Sequence, residues 1–260
     1  MIDFHNHILP GIDDGAKNIE VSIKMLREAH SQGITDIINT VHYQHPKMEG
    51  KEVDFKSIEK ATIELQSYLD SNNIDVKIHI GAEVFFKPGL LEIKKDKLAV
   101  FGHGKYMLIE FLPFHLPPHF DDEFYKLKLA GTTPIIAHPE RNRMIQLDID
   151  ILVKLIHSGC LVQLDGGSLL GHFGSTCQHV AKLLLDRNMV HFIGSDAHND
   201  KKRNFCLPQA SEIARKIVGD SVEILVNDNP RKVISGEDII PFEMNESHAA
   251  SNFITRLFKK

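Results

Sequence analysis

Cysteine is scarce in this chain: its 260 residues hold three, Cys160, Cys177 and Cys206, widely spaced and without a C-x-x-C pair. A disulfide framework and a thioredoxin-like dithiol are thereby excluded, and reduced, buried or semi-buried thiols are expected. Thiolate attack on a phosphate ester is excluded too, because it needs an arginine six residues beyond the cysteine. Those positions hold Gly166, Leu183 and Glu212. There is no Walker A loop and no G-x-S-x-G elbow. No apolar run approaches the ~18 residues that span a bilayer. The opening MIDFHNH lacks a signal-peptide pattern, so a cytoplasmic protein that is not integral to a membrane is expected. Excess positive charge is lacking as well; the net charge of −5 argues against a general nucleic-acid binder. Internal repeats, low-complexity tracts and linker-like stretches are absent. One domain over residues 1–243 is expected, followed by a tail at 244–260 of different composition.

What is present suits a packed core, with 42% hydrophobic and 25% charged residues. Short β-branched runs alternate with amphipathic stretches. MIDF, ITDIINTV, VKIHIGAEVFF, YMLIEFL, TPIIAH, CLVQLD and VHFIGSD read as strands. Between them IEVSIKMLREAHSQ reads as a helix capped by Asn18, with Ile19, Ile23, Leu26 and His30 on its packed face. FKSIEKATIELQSYLDSN is a second helix, and further helices are expected near 121–130, 148–158, 175–188, 208–218 and 220–226. Seven strand–helix alternations in a chain of this length favour an α/β barrel over an open sheet.

Acids and histidines recur where these strands end. His5 and His7 stand one residue apart on the first strand, so an extended backbone turns both to one side, with Asp14 in the following loop. His42, Glu83, Glu110, His138, Asp196 and His198 follow later strands. In a barrel the strand C-termini share one rim, so these residues converge. A mixture of imidazole and carboxylate suits Mn²⁺, Fe²⁺ or Zn²⁺, whereas Mg²⁺ and Ca²⁺ prefer oxygen alone. Two arginines lie close behind, Arg141 in AHPER and Arg203 in DAHNDKKR, each able to offer a planar fork to phosphate.

The set HNHILPGIDDGA, TVHY, GAEV, LIEF, IAHPERN and GSDAH resembles the PHP (polymerase and histidinol phosphatase) superfamily. It is most similar to the manganese-dependent protein-tyrosine phosphatases of bacterial capsule operons. The resemblance runs from residue 1 to about 235 and implies a distorted (β/α)₇ TIM-like barrel holding three divalent metals, manganese first, with iron or zinc as alternatives. It implies that His5, His7, Glu83 and Asp196 hold one metal and that Glu83, Glu110 and His138 hold a second. Asp14, His42 and His198 would hold the third. Asp14 is preferred to Asp13 because it directly precedes the glycine. Asp165, in VQLDGGSLLG, stands where the family often has asparagine, which leaves a further ligand open.

Four ligand carboxylates against three divalent ions would leave the cluster net positive by two, a pocket for a phosphate dianion. A hydroxide bridging two metals is the expected nucleophile. Arg141 and Arg203 would bind the phosphoryl group, and His42, His115 and His198 are available for proton transfer. The implied reaction is hydrolysis of phosphotyrosine on a tyrosine autokinase of capsular or exopolysaccharide export. A histidinol-phosphatase-like or other small-molecule phosphomonoesterase is the alternative. FLPFHLPPHF (111–120), with Phe85 and Phe86, offers an apolar rim to a phenol ring. The tail segment FITRLFKK reads as a loose end, with a docking helix as the alternative, and a homo-oligomer is left open.

Overall fold

The computed structural model describes residues 1–48 and 53–245. Seven parallel strands follow one another in chain order: β1 (Ile2–Asn6), β2 (Asp36–Tyr43), β3 (Lys77–Phe85), β4 (Tyr106–Glu110), β5 (Thr133–Ala137), β6 (Leu161–Asp165) and β7 (Phe192–Gly194). The sheet curls until its ends meet. Asn6 bridges Ala197, His7 N–H donates to the Ala197 carbonyl at 2.8 Å, and Asp196 N–H donates to the His5 carbonyl at 2.7 Å. The result is a seven-stranded barrel of the (β/α)₇ kind.

Around it lie α1 (Ile19–Ser31), α2 (Phe55–Ser71), α3 (Leu90–Ile93), α4 (Phe120–Leu129), α5 (Arg143–Leu147), α6 (Asp150–His157), α7 (Gly166–Leu170), α8 (Ser175–Asp186), α9 (Leu207–Val218) and α10 (Asn229–Ser235). Asn18 caps α1, accepting from Val21 N–H at 3.0 Å. The packed face of α1 is not the one expected. Ser22, Met25, Leu26 and Ala29 are buried, while Ile19 and His30 are exposed, because the barrel meets the helix about one residue further round. The expected helix at 220–226 is also corrected. Residues Gly219–Ser221 form a 3₁₀ turn, and a π-helical stretch, Ile224–Asp228, runs straight into α10.

Inside the barrel, strand alternation sets two layers. Ile2, Phe4, Ile38, Tyr106, Leu108, Ile135, Leu161 and Phe192 form an apolar lower layer, with Phe4 stacked on Phe192 at 4.2 Å and Val233 of α10 packed against them. The same rows, two to four residues further along, carry His42, Glu110, Gln163, Asp165 and Asp196 at the upper rim. A register shift between Asp3 and Asn6 adapts β1 to both layers. The chain is still attached at Asn245, whose N–H donates to the Arg187 carbonyl at 3.1 Å, and Phe242 and Met244 pack on the core. The FITRLFKK segment lies outside the described residues.

His191, just before β7, ties neighbouring strands together. Its Nδ1 accepts from Val162 N–H at 3.1 Å, and its buried Nε2 has no hydrogen-bond partner among the described residues. Burial pushes its pKa down to about 4. The folded protein therefore needs the neutral ring, whereas the unfolded chain takes a proton below about pH 6.5. This stability is fully present above that pH and is lost as pH falls toward 4, by roughly 2 kcal/mol at pH 5. His191→Gln, which keeps an acceptor for Val162, should show less stability loss between pH 7 and 5 than the parent. Denaturant unfolding of both proteins checks this, and equal losses would contradict it.

Candidate metal centre

All nine ligand candidates meet at the rim. Glu83 is the hub: its Oε1 lies 2.7 Å from His138 Nε2, and its Oε2 lies 3.2 Å from His5 Nε2, 3.2 Å from His42 Nδ1 and 3.5 Å from His7 Nε2. His42 faces two ways, with Nδ1 3.1 Å from Glu110 Oε1 and Nε2 3.1 Å from Asp14 Oδ1. His198 Nε2 lies 3.3 Å from the same Asp14 oxygen. Asp196 divides its carboxylate. Oδ1 lies 3.5 and 3.4 Å from His5 and His7, while Oδ2 accepts from Arg141 Nη1 and Arg203 Nη2, each at 2.5 Å.

The donors fall into four overlapping groups: His7, Asp14, His42 and His198; His5, His7 and Asp196; His5, Glu83 and His138; His42, Glu83 and Glu110. They are the nine residues the resemblance implies, but where it has Glu83 alone shared between sets, here His5, His7, His42 and Glu83 each belong to two groups. Their chemistry fits divalent cations. His42 Nδ1 and Glu110 Oε1 are buried side by side without a hydrogen bond, an arrangement that a shared cation would satisfy.

The ring orientations are built in. His5 Nδ1 donates to Gln163 Oε1 at 2.9 Å and His7 Nδ1 to Asp13 Oδ2 at 2.8 Å, turning both Nε2 atoms to the cluster. Asp13 also accepts from the backbone N–H of His42 and of Gly15. The DDG sequence thus divides its labour: Asp14 faces the cluster and Asp13 orients it. Gly15 is needed because a Cβ there would stand 2.2 Å from the His7 carbonyl oxygen. Gly194 is needed likewise, since a Cβ would meet His5 Cβ at 2.7 Å. Two candidates, His138 (φ 31°) and Asp196 (φ 46°), hold left-handed backbone, a conformation that costs a non-glycine residue on the order of 1 kcal/mol.

Charge explains the titration behaviour. Burial would lower His5 and His42, but the surrounding carboxylates outweigh it and raise both. Glu83 moves oppositely: burial would raise it, and the imidazoles, His5 first, hold it well below the usual carboxylate range. His198 is lowered, by burial first and His7 second.

Asp165 belongs to none of the four groups. Its Oδ1 accepts from Gly167 N–H at 2.7 Å, capping α7, and its Oδ2 accepts from Arg141 at 3.2 Å. Glu140, fully buried, accepts from Asp165 N–H and Ser168 Oγ. Burial, then the Asp165 charge, pushes its pKa up to about 8. Gln163 and Glu140 escaped the sequence reading, which weighed Asp13 only as the alternative to Asp14, because only packing shows what these residues touch. His115 is exposed and lies in none of the groups, whereas His45, unremarked in sequence, has Nε2 3.4 Å from Glu110. The expected aromatic rim is mixed. Phe85 packs on His45, Phe86 and Phe111 are buried together with Phe124, and Phe114 is 79% exposed.

Beside the cluster a cleft of about 170 Å³ is lined by His45, Glu110, Leu112, Pro113, His138 and Arg141, among others. A larger one, about 610 Å³, lies between α2 and the start of β3, where none of the donor groups is found.

A family model described as capsular polysaccharide synthesis, CpsB/CapC, matches residues 1–235. CapC of Staphylococcus aureus is 36% identical over 210 residues, covering 80% of this chain and 81% of that protein. The tyrosine-protein phosphatase YwqE of Bacillus subtilis (strain 168) is 35% identical over 240 residues, covering 92% of this chain and 93% of that protein. A crystal structure from work on YwqE and on CpsB of Streptococcus pneumoniae, described as unique metal-dependent tyrosine phosphatases, superposes with a TM-score of 0.87 at 34% identity. It covers 94% of this chain and 99% of that chain.

Proposed function

The chain belongs to the CpsB/CapC family of capsular polysaccharide synthesis, and on that premise we propose that it is a metal-dependent protein-tyrosine phosphatase acting at the nine-residue rim cluster. The observation that carries this reading is the joining of metal-type donors and a guanidinium pair through one residue, Asp196. The substrate we infer is phosphotyrosine on a tyrosine autokinase of polysaccharide export. Manganese, as three ions, is the cofactor we assign, held by His5, His7, Asp14, His42, Glu83, Glu110, His138, Asp196 and His198. When bound, such ions supply an activated water and electrostatic stabilisation of the phosphoryl oxygens.

The protein's own residues do the rest. Arg203 Nε is buried with no hydrogen-bond partner among the described residues, and it suits a non-bridging phosphoryl oxygen. Arg141, on the wall of the 170 Å³ cleft, adds the second fork. A cavity of ~150 Å³ holds a benzene ring, so this cleft has room for one phenol. A phenolate leaving group, with pKa near ~10, needs little protonation. His42 and His198, both at the cluster, and His45, lining the cleft, are imidazoles available to give that oxygen a proton. Among the described residues no helix is long and apolar enough to cross a membrane.

The test compares kcat/KM on a phosphotyrosine peptide, p-nitrophenyl phosphate and histidinol phosphate with Mn²⁺ present. The aryl esters should be favoured by at least about tenfold, given the difference in leaving-group pKa. Preference for histidinol phosphate would instead establish the small-molecule phosphomonoesterase.

A further inference from the structure

Resting on the phosphate-binding role assigned to Arg141 and Arg203, we propose that Phe173 is the positioning residue that holds the two guanidinium planes ready for the phosphoryl group. Its ring lies under both: the guanidinium carbon of Arg141 is 4.6 Å from the ring centroid and that of Arg203 is 6.0 Å. A ring face attracts cations at such distances through its quadrupole.

The arginines come from different loops, one after β5 and one after β7, and both lean on Asp196 Oδ2. One carboxylate oxygen can anchor two cations but cannot fix how each plane turns. The ring supplies that second restraint. Arg141 is held by Asp165, Asp196 and Phe173, and Arg203 by Asp196 and Phe173, while Arg203 Nε has no hydrogen-bond partner among the described residues. Two guanidiniums this close would otherwise repel and splay toward solvent.

Phe173 is itself fixed. It sits in the turn between α7 and α8, where His172 N–H donates to the Gly167 carbonyl at 2.9 Å and Gly174 N–H to the Gly171 carbonyl at 3.1 Å. Asp165, which pairs with Arg141, also caps α7, so the turn and the arginine it serves share one anchor.

The experiment uses the Mn²⁺-loaded full chain with Phe173→Leu and Phe173→Tyr. It measures the Kd of inorganic phosphate by calorimetry, kcat/KM on p-nitrophenyl phosphate, metal content and Tm. Phe173→Leu should weaken phosphate binding about tenfold, the scale of losing two partly desolvated cation–π contacts. Its kcat/KM should fall in proportion, with metal content and Tm unchanged. Phe173→Tyr, which keeps a ring, should stay within about twofold on every readout. Unchanged phosphate affinity in Phe173→Leu would overturn the proposal, including the case where only the aryl ester is affected and the ring merely touches the substrate. Equal losses in both variants, or lost metal, would overturn it as well. Phosphate affinity is read without turnover, so failure of the parent protein to hydrolyse aryl esters would count against the proposed activity alone.

Discussion

Glu83→Gln should remove phosphatase activity by about 10³-fold or more, since several kcal/mol of charge stabilisation is at stake at 1.36 kcal/mol per decade. No other carboxylate in the cluster lies against so many imidazoles: Glu83 contacts His5, His7, His42 and His138 and is 1% exposed. Glutamine keeps the size but removes the charge, and its NH₂ would confront imidazole nitrogens that should carry lone pairs toward a cation. Bound metal, measured on the purified variant, should fall together with turnover. A variant that kept its metal and its rate would show that the hub of the cluster is not a ligand.

Arg141→Lys should lower kcat/KM on an aryl phosphate about 10²-fold or more, the size of losing one well-placed transition-state donor. Lysine is the informative replacement because Arg141 also neutralises Asp165 and Asp196, both buried. Alanine would leave two uncompensated carboxylates and confuse catalysis with stability. An ammonium can answer the acids, but it cannot also offer a planar fork to phosphate. Metal content and Tm should therefore barely change. Near-parental turnover would reduce the arginine to a structural partner of the two acids, and lost metal would mean that it shapes the cluster itself.

The parts of the molecule legible in sequence are those with a local cause. Most strands are short apolar runs bounded by breakers, and all seven stand where the pattern places them. The barrel then carries the strand-end acids and histidines to one rim without further information. Less local features were hidden. The buried face of α1 depends on the angle at which the helix meets the barrel. The 219–235 segment passes through 3₁₀, π and α geometry, which periodicity cannot separate over so few residues. The choice between Asp13 and Asp14 rested on a neighbouring glycine; the structure adds the reason, since Gly15 packs against His7 and leaves one aspartate for orientation and one for the cluster. Asp165, Glu140 and Phe173 serve the arginines through contacts between separate loops.

Stepwise metal loading measures metal-dependent hydrolysis at the rim most directly. Protein stripped by chelation to near-zero metal content would be titrated with Mn²⁺ while bound metal and phosphotyrosine-peptide turnover are followed together. The stripped protein should show no turnover, and recovery should track the filling of the cluster. Full turnover with metal content near zero would contradict metal dependence.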